Sequence, residues 1–253
     1  MNDAPKATPA SAKPELIVVM PVYNESAAIP GVIQIWTREL DRLAIPYLLT
    51  AYDDGSTDHT GNILDELARQ YPQVRVKHGR NGGHGASILR GYREADSQWV
   101  FQVDSDDEMG PESFEPLWAA RNNYDLLLGC RKDRESPPAR RLITTVARLT
   151  IGLYFGAGLR DVNTPYRLIR TPILKRMLPL IPEDAFAPNV IISGLAVRMG
   201  LRIFQCEAPH QNRRTGEVSI VRWKLWKAAL RSFRQTLRAA RHIKKGNIGP
   251  TST

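Results

Sequence analysis

The sequence predicts an α/β protein, a single domain on a mostly parallel central sheet, followed by a basic amphipathic helix. Three observations carry this expectation. Short apolar runs alternate with amphipathic stretches of helix length, and strands separated by crossover helices pair in parallel. Clusters rich in Asp and Gly follow those runs, at the carboxyl ends of strands where open parallel sheets place their sites. The length, 253 residues with 42% apolar, suits one large domain better than two small ones.

Residues 1–14, MNDAPKATPASAKP, show no apolar periodicity and lack the continuous apolar core of a signal peptide, so they read as a disordered leader. ELIVVMPVY (15–23) is the continuous apolar run of a central parallel strand. A helix is expected from Ile29, with Pro30 in its first turn, to Leu43. YLLTAY (47–52) reads as a second strand ending at Asp53-Asp54-Gly55-Ser56, with a helix from Asp58 to Tyr71 after it. Val74 to Lys77 is a short strand, and NGGHGASILRGYREA (81–95) a glycine-rich turn entering a helix, with His84 in the loop. Trp99 to Val103 is a fourth strand, residues 111–122 are helical, and Asp125 to Cys130 is a fifth strand. The domain is expected over 15–220, the basic helix over 221–245 and a flexible tail over 246–253.

The charge is unevenly placed. The formal net charge is +9, from 35 Lys and Arg against 26 Asp and Glu, yet after Glu217 there are nine bases and no acid. Setting those nine aside leaves 26 bases against 26 acids, so the whole excess sits in the C-terminal segment. There Trp223, Trp226, Leu230, Phe233 and Leu237 recur at three- and four-residue steps, forming one helical stripe with the bases around it. Two readings stay open: the stripe packs on its own domain, or the helix lies in an anionic membrane surface, where each Lys or Arg adds about 1 kcal/mol. Nucleic acid is not the expected partner, because stacking aromatics interleaved with bases are absent elsewhere. The nearest approach to a spanning run, residues 142–159, is broken by Arg148 and three threonines. Cys130 and Cys206 show no metal-site spacing, which fits buried thiols in a reducing, cytoplasmic compartment.

DSDDE (104–108) closes the fourth strand with Asp104, Asp106, Asp107 and Glu108. Two carboxylates about 5 Å apart repel by roughly 3 kcal/mol at an effective dielectric near 20, so such a cluster needs a proton or a cation. Hard carboxylate oxygens suit Mg²⁺ or Mn²⁺, with Asp104, Asp106 and Glu108 as the candidate ligands. The bland alternative is that these acids cap the helix expected from Pro111. Asp53 and Asp54 are placed to accept hydrogen bonds from a nucleoside, or else belong to a turn. GRNGGHGAS (79–87) lacks the GxGxxG spacing after the first strand that a dinucleotide-binding oxidoreductase requires.

Taken together, PVYNE (21–25), DDGSTD (53–58), RNGGHGASILRG (80–91) and DSDDE (104–108) resemble the inverting family 2 glycosyltransferases, and within them the polyprenyl-phosphate sugar transferases. The resemblance covers roughly residues 15–219. It implies a GT-A fold of the Rossmann-like, nucleotide-diphospho-sugar transferase kind. It also implies donor contacts from Pro21, Tyr23, Glu25, Asp53, Asp54, Asp104 and Ser105, and a diphosphate and metal motif at Asp104, Asp106 and Glu108. Glu108 stands where that branch usually has Gln. GCR (129–131) makes Arg131 a candidate for diphosphate or acceptor-phosphate contact. RDVNTPYRLIR (160–170) and HQNRRTGEVSI (210–220) resemble two further segments, the second supplying Arg213, with Arg214 as a possible substitute.

The implied reaction moves a sugar from a GDP- or UDP-linked donor to a polyprenyl phosphate, on the cytoplasmic face of the membrane, with Asp106, Arg131, Asp161 and Arg213 in catalytic roles. A phosphate acceptor is already anionic and needs no strong base; a hydroxyl acceptor in surface polysaccharide synthesis would need one, Asp161 or Asp107. A nucleotide- or lipid-binding module without turnover is the reading from another class. A membrane-protein tether or a homo-oligomer is compatible with all three.

Overall fold

In the computed structural model the described residues are 13–131, 158–209 and Gln235. Seven strands form one sheet in the order β3-β2-β1-β4-β6-β5-β7. They are β1 (Leu16–Val22), β2 (Tyr47–Asp53), β3 (Val74–His78), β4 (Trp99–Gln102), β5 (Leu126–Arg131), β6 (Arg167–Arg170) and β7 (Ile203–Ala208). All neighbours pair in parallel except β6, which runs antiparallel to β4 and β5.

The alternation of β1 explains the layering. Leu16, Val18, Met20 and Val22 join one core cluster, with α1 (Ile29–Arg42), α2 (Thr60–Gln70) and α4 (Phe114–Ala120). Ile17 and Val19 face the other cluster, with α3 (His84–Glu94), α5 (Thr171–Met177) and α6 (Pro188–Arg198). Successive side chains of a strand point to opposite faces, so a strand apolar at every position is sandwiched by helices on both sides. Under β4 the first cluster is aromatic: Trp36, Phe101, Phe114 and Tyr166 pack with ring centroids 4.8 to 5.8 Å apart.

Several expectations need correction. His84 is not in the loop but opens α3, immediately after Gly83, whose φ of 90° turns the chain into the helix. The helix expected over 111–122 is a 3₁₀ turn (Pro111–Ser113), the short α4 and a second 3₁₀ turn (Arg121–Asn123). Neither the first turn nor α4 has a side-chain cap, so the acids of 104–108 are not helix caps. Beyond β5 the structure adds β6, β7, α5 and α6.

The C-terminal helix lies outside the described residues apart from Gln235, and most of the leader, the near-spanning run and Arg213 with Arg214 lie outside them too. Gln235 is 5% exposed. Its Nε2 donates to Asp184 O (3.0 Å) and its Oε1 accepts from Phe186 N (3.1 Å). Among the described residues, no helix is long and apolar enough to cross a membrane.

Candidate active site

The carboxyl ends of β2, β1 and β4 lie side by side, and each carries a polar cluster that the fold holds differently. At the β1 end, Asn24 adopts a left-handed conformation (φ 53°). Its Oδ1 accepts from Thr57 N (2.8 Å), and its own N–H donates to Ser56 Oγ (3.0 Å), tying this strand end to the loop after β2. Asn is among the few residues that reach this conformation at low cost, because its short polar side chain bonds the local backbone. Pro21 is the penultimate residue of β1, Tyr23 is half-buried after it, and Glu25 is 7% exposed with its N–H on Thr60 Oγ1.

At the β2 end both acids are buried, at 6% exposure each. Asp53 Oδ1 accepts from Ser56 N (3.0 Å), and its Oδ2 lies 2.8 Å from His78 Nδ1. The other ring nitrogen of His78 lies 3.1 Å from Asp65 Oδ1. Burial works to raise the Asp53 pKa, but the bonds from Ser56 and His78 outweigh it and hold the carboxyl below its ordinary value. His78 moves the other way, raised first by Asp53 and then by Asp65. Asp54 is spent on the backbone: Gly82 N and Gly83 N donate to its two oxygens at 2.9 and 2.8 Å. The glycine-rich turn is therefore fastened to the β2 end by a carboxylate. Gly55 completes the turn with φ 71°, and a Cβ there would stand 2.8 Å from Asn81 N.

At the β4 end Asp104, Asp106 and Glu108 line one pocket with Met109, Arg131 and Pro165. The chain reverses at Asp107 (φ 58°), where Asp106 Oδ1 accepts from Glu108 N (3.2 Å), and this returns Glu108 to the side of Asp106. Ser105 is buried at 5% exposure. Gln102 Nε2 donates to Asp104 Oδ1 (2.9 Å), and His84 Nε2 stands 3.5 Å from the same oxygen. So α3, which the glycine turn introduces, begins beside the acidic pocket.

Arg131, which lines this pocket, is paired with Asp161. Arg131 Nε and Nη2 donate to the two oxygens of Asp161 at 2.7 and 2.9 Å, with side-chain exposures of 10% and 12%. Burial opposes the Arg131 charge, yet Asp161, with Asp104 and Glu108 nearby, holds its pKa above the ordinary value. The pairing follows from the antiparallel β6. Its first residue, Arg167, is in register with Gln102 of β4 and Leu128 of β5, so the turn before it enters at the edge where those strands end.

The sequence-predicted residues thus gather as Asp104, Asp106, Glu108 and Arg131 in one pocket, with Asp161 on Arg131 and the Asp53 end two strands away. They do not form a ready-made cage: among the described residues, no three His, Cys, Asp or Glu side chains are already arranged to hold one ion. The donor set still suits a hard divalent cation, because Mg²⁺ and Mn²⁺ commonly take one or two protein carboxylates and complete their shell with water and substrate phosphates. Asn24, Gln102 and Asn189 escaped the sequence reading. Asn24 sits inside a quoted motif, whereas Gln102 and Asn189 are brought together across 87 positions.

The folded chain superposes on solved glycosyltransferase structures. Glucosyl-3-phosphoglycerate synthase from Mycobacterium tuberculosis, in complex with Mn²⁺, UDP-glucose and phosphoglyceric acid, aligns with a TM-score of 0.64 at 17% identity over 92% of this chain and 82% of that one. Mannosyl-3-phosphoglycerate synthase from Rubrobacter xylanophilus aligns with a TM-score of 0.64 at 14% identity, over 90% and 74%. The fold and the acidic strand end define the class: a GT-A glycosyltransferase fold. Residues 17–177 match the model of glycosyl transferase family 2, and the chain belongs to that family. A curated relative, the undecaprenyl-phosphate 4-deoxy-4-formamido-L-arabinose transferase of Proteus mirabilis, is 28% identical over 203 residues, 79% of this chain and 61% of its own length. The chain spans about three-fifths of the length of such relatives.

Proposed function

We propose that this protein transfers a sugar from a nucleotide diphosphate donor to the phosphate of a polyprenyl phosphate, inverting the anomeric centre. The observation that carries the reading is the pocket in which Asp104, Asp106 and Glu108 face Arg131. Asp104, Asp106 and Glu108 would hold Mg²⁺ or Mn²⁺, which supplies charge neutralisation for the departing diphosphate. The relatives named for undecaprenyl-phosphate transfer, and the neighbour solved with Mn²⁺ and UDP-glucose, support both halves of the proposal.

The chain's own residues then have distinct tasks. Asp53 and the loop beyond β1, with Pro21, Tyr23 and Glu25, receive the nucleoside. Arg131 holds phosphate oxygens, for which a planar guanidinium fork is suited. Arg213, outside the described residues, would add a second arginine. Asp161 already takes both hydrogen bonds from the Arg131 Nε and Nη2, which makes it a poor base and favours an acceptor that arrives ionised. A phosphate monoester, with a second pKa near 6, is such an acceptor. The C-terminal basic helix would rest on an anionic membrane surface at the cytoplasmic side.

Purified protein with Mn²⁺ and a panel of UDP- and GDP-sugars should release nucleoside diphosphate only when undecaprenyl phosphate in anionic vesicles is added. Equal release with a saccharide hydroxyl acceptor would replace this reading with the polysaccharide one. Nucleotide binding without turnover on any acceptor would leave a binding module.

A further inference from the structure

Behind the acidic pocket runs a buried chain of polar side chains that nothing in the proposed reaction uses. Tyr92, Gln102 and Arg167 are fully buried, and Asn189 is 3% exposed. Gln102 Nε2 donates to Asp104 Oδ1 (2.9 Å), Asn189 Nδ2 donates to Gln102 Oε1 (2.7 Å), and Tyr92 OH lies 3.3 Å from Asn189 Oδ1. From this geometry we infer that Asn189 and Gln102 are positioning residues that orient Asp104 for its cation, an inference that rests on the cation reading above.

The direction of the chain is dictated by charge. An ionised carboxylate only accepts, so Gln102 must turn its NH₂ toward Asp104. Its carbonyl oxygen then needs a donor, which Asn189 supplies at 2.7 Å with Tyr92 OH farther off at 3.4 Å, and the Asn189 oxygen needs one in turn. Tyr92 provides it and stays protonated, because burial pushes its phenol well above the ordinary range. Each amide can flip only if all of them flip, at the cost of opposing two acceptors at Asp104. Buried polar groups left without partners are costly, so the chain behaves as one unit.

Arg167 fixes where the chain begins. Its Nη1 donates to Asn189 O (3.1 Å), and its Nε and Nη2 donate to Thr164 O (3.0 and 2.8 Å). The start of α6 is thereby tied to the turn that carries Asp161. Burial lowers the Arg167 pKa, and the fields of Asp161 and Asp104 partly offset that effect. Holding Asp104 Oδ1 from behind selects one orientation of the carboxylate toward the pocket. Outer partners of this kind commonly change metal affinity by about 10–100-fold when removed.

The decisive variant is Asn189→Asp, which keeps size but removes the donor to Gln102. Gln102 then lies between two carboxylates and can turn its NH₂ toward only one of them, so its hold on Asp104 is no longer fixed. Mn²⁺ affinity measured by electron paramagnetic resonance in the presence of UDP should fall about tenfold or more, with UDP binding in EDTA unchanged. Should Asn189→Asp not fold, Gln102→Met removes the donor to Asp104 at similar volume and should give the same loss, while Tyr92→Phe should give a smaller one. In the metal-free protein, the Gln102 side-chain amide should be protected from exchange and should shift in Tyr92→Phe. Wild-type Mn²⁺ affinity in both Asn189→Asp and Gln102→Met would overturn the inference. Absence of Mn²⁺ binding by the wild type would instead remove the cation reading on which the inference stands.

Discussion

The strand ends of β2 and β4 carry the same chemistry in sequence, DDGSTD and DSDDE, and opposite uses in the fold. At β2 both carboxylates are 6% exposed and face donors of the chain itself: Ser56 N and His78 for Asp53, Gly82 N and Gly83 N for Asp54. At β4 Asp104 has 27% side-chain exposure, and it lines a pocket with Asp106, Glu108 and Arg131. A carboxylate consumed by backbone N–H groups is a fastener, whereas carboxylates gathered around a pocket beside an arginine can take a cation and its phosphate ligands. The number of acids in a motif does not separate the two; burial does, with both β2 acids 6% exposed and Asp104 opening on a pocket.

The contrast can be broken most sharply at Asp106. Replacing it with Ala should reduce transfer by roughly 10²–10³-fold, the scale of losing one electrostatic element at a charge-developing centre. Calorimetry should show the Mn²⁺-dependent part of UDP binding gone and Tm nearly unchanged. Retained Mn²⁺-dependent binding would move the cation elsewhere.

Asp161→Ala comes next. It strands Arg131 at 10% exposure without its bidentate partner, and breaking a largely buried pair costs about 3 kcal/mol. Denaturant unfolding should show that loss, while Asp161→Asn, which retains one acceptor, should lose less and keep turnover within about tenfold of wild type, since one decade is about 1.4 kcal/mol of barrier. A loss far beyond that at normal stability would identify Asp161 as a base and a hydroxyl as the acceptor.

Asp54→Ala should behave as the removal of a fastener. Two backbone N–H groups lose a charged acceptor, worth about 2 kcal/mol, so Tm should drop by several degrees. UDP affinity, measured well below the new Tm, should change less than it does in Asp53→Ala. The reverse ranking would restore Asp54 to the donor site.

The smallest effect concerns His78, whose pKa is raised by Asp53 and then Asp65. A group raised in the folded state stabilises fully below its unfolded pKa, about 6.5, and loses that contribution as pH rises through the folded value. The Tm difference between wild type and His78→Gln should therefore be greatest below pH 6 and shrink as pH rises above the raised pKa. A difference independent of pH would mean that the imidazole acts through packing and not through charge.

Much of the N-terminal half was readable because parallel strands buried on both faces announce themselves as largely apolar runs, and β1, β2, β4 and β5 are such runs. β6 reads RLIR and β7 reads IFQCEA, short segments with neither a clean period nor an apolar run. α6 escaped for the opposite reason: nine of its eleven residues are buried, so no polar face gives it a helical period. In the site, the residue types around the pocket were visible as motifs, but their division of labour was not. Gln102 looks like an isolated polar residue at the end of a strand until Asn189, 87 positions away, is brought against it. Asp54 resembles Asp53 until the glycine turn folds back onto it.

The reversal of β6 has an architectural consequence. A wholly parallel sheet of this kind would have to spend a full crossover to bring another connecting segment to the reactive rim. One strand running backwards delivers residues 161–165 there directly, hinged on Arg167 and anchored by the Thr164 Oγ1 bond to Gly129 O (2.6 Å). A substitution in that segment would therefore act on the rim through Asp161 and Thr164 while the register of β4 on β1 stays as it is.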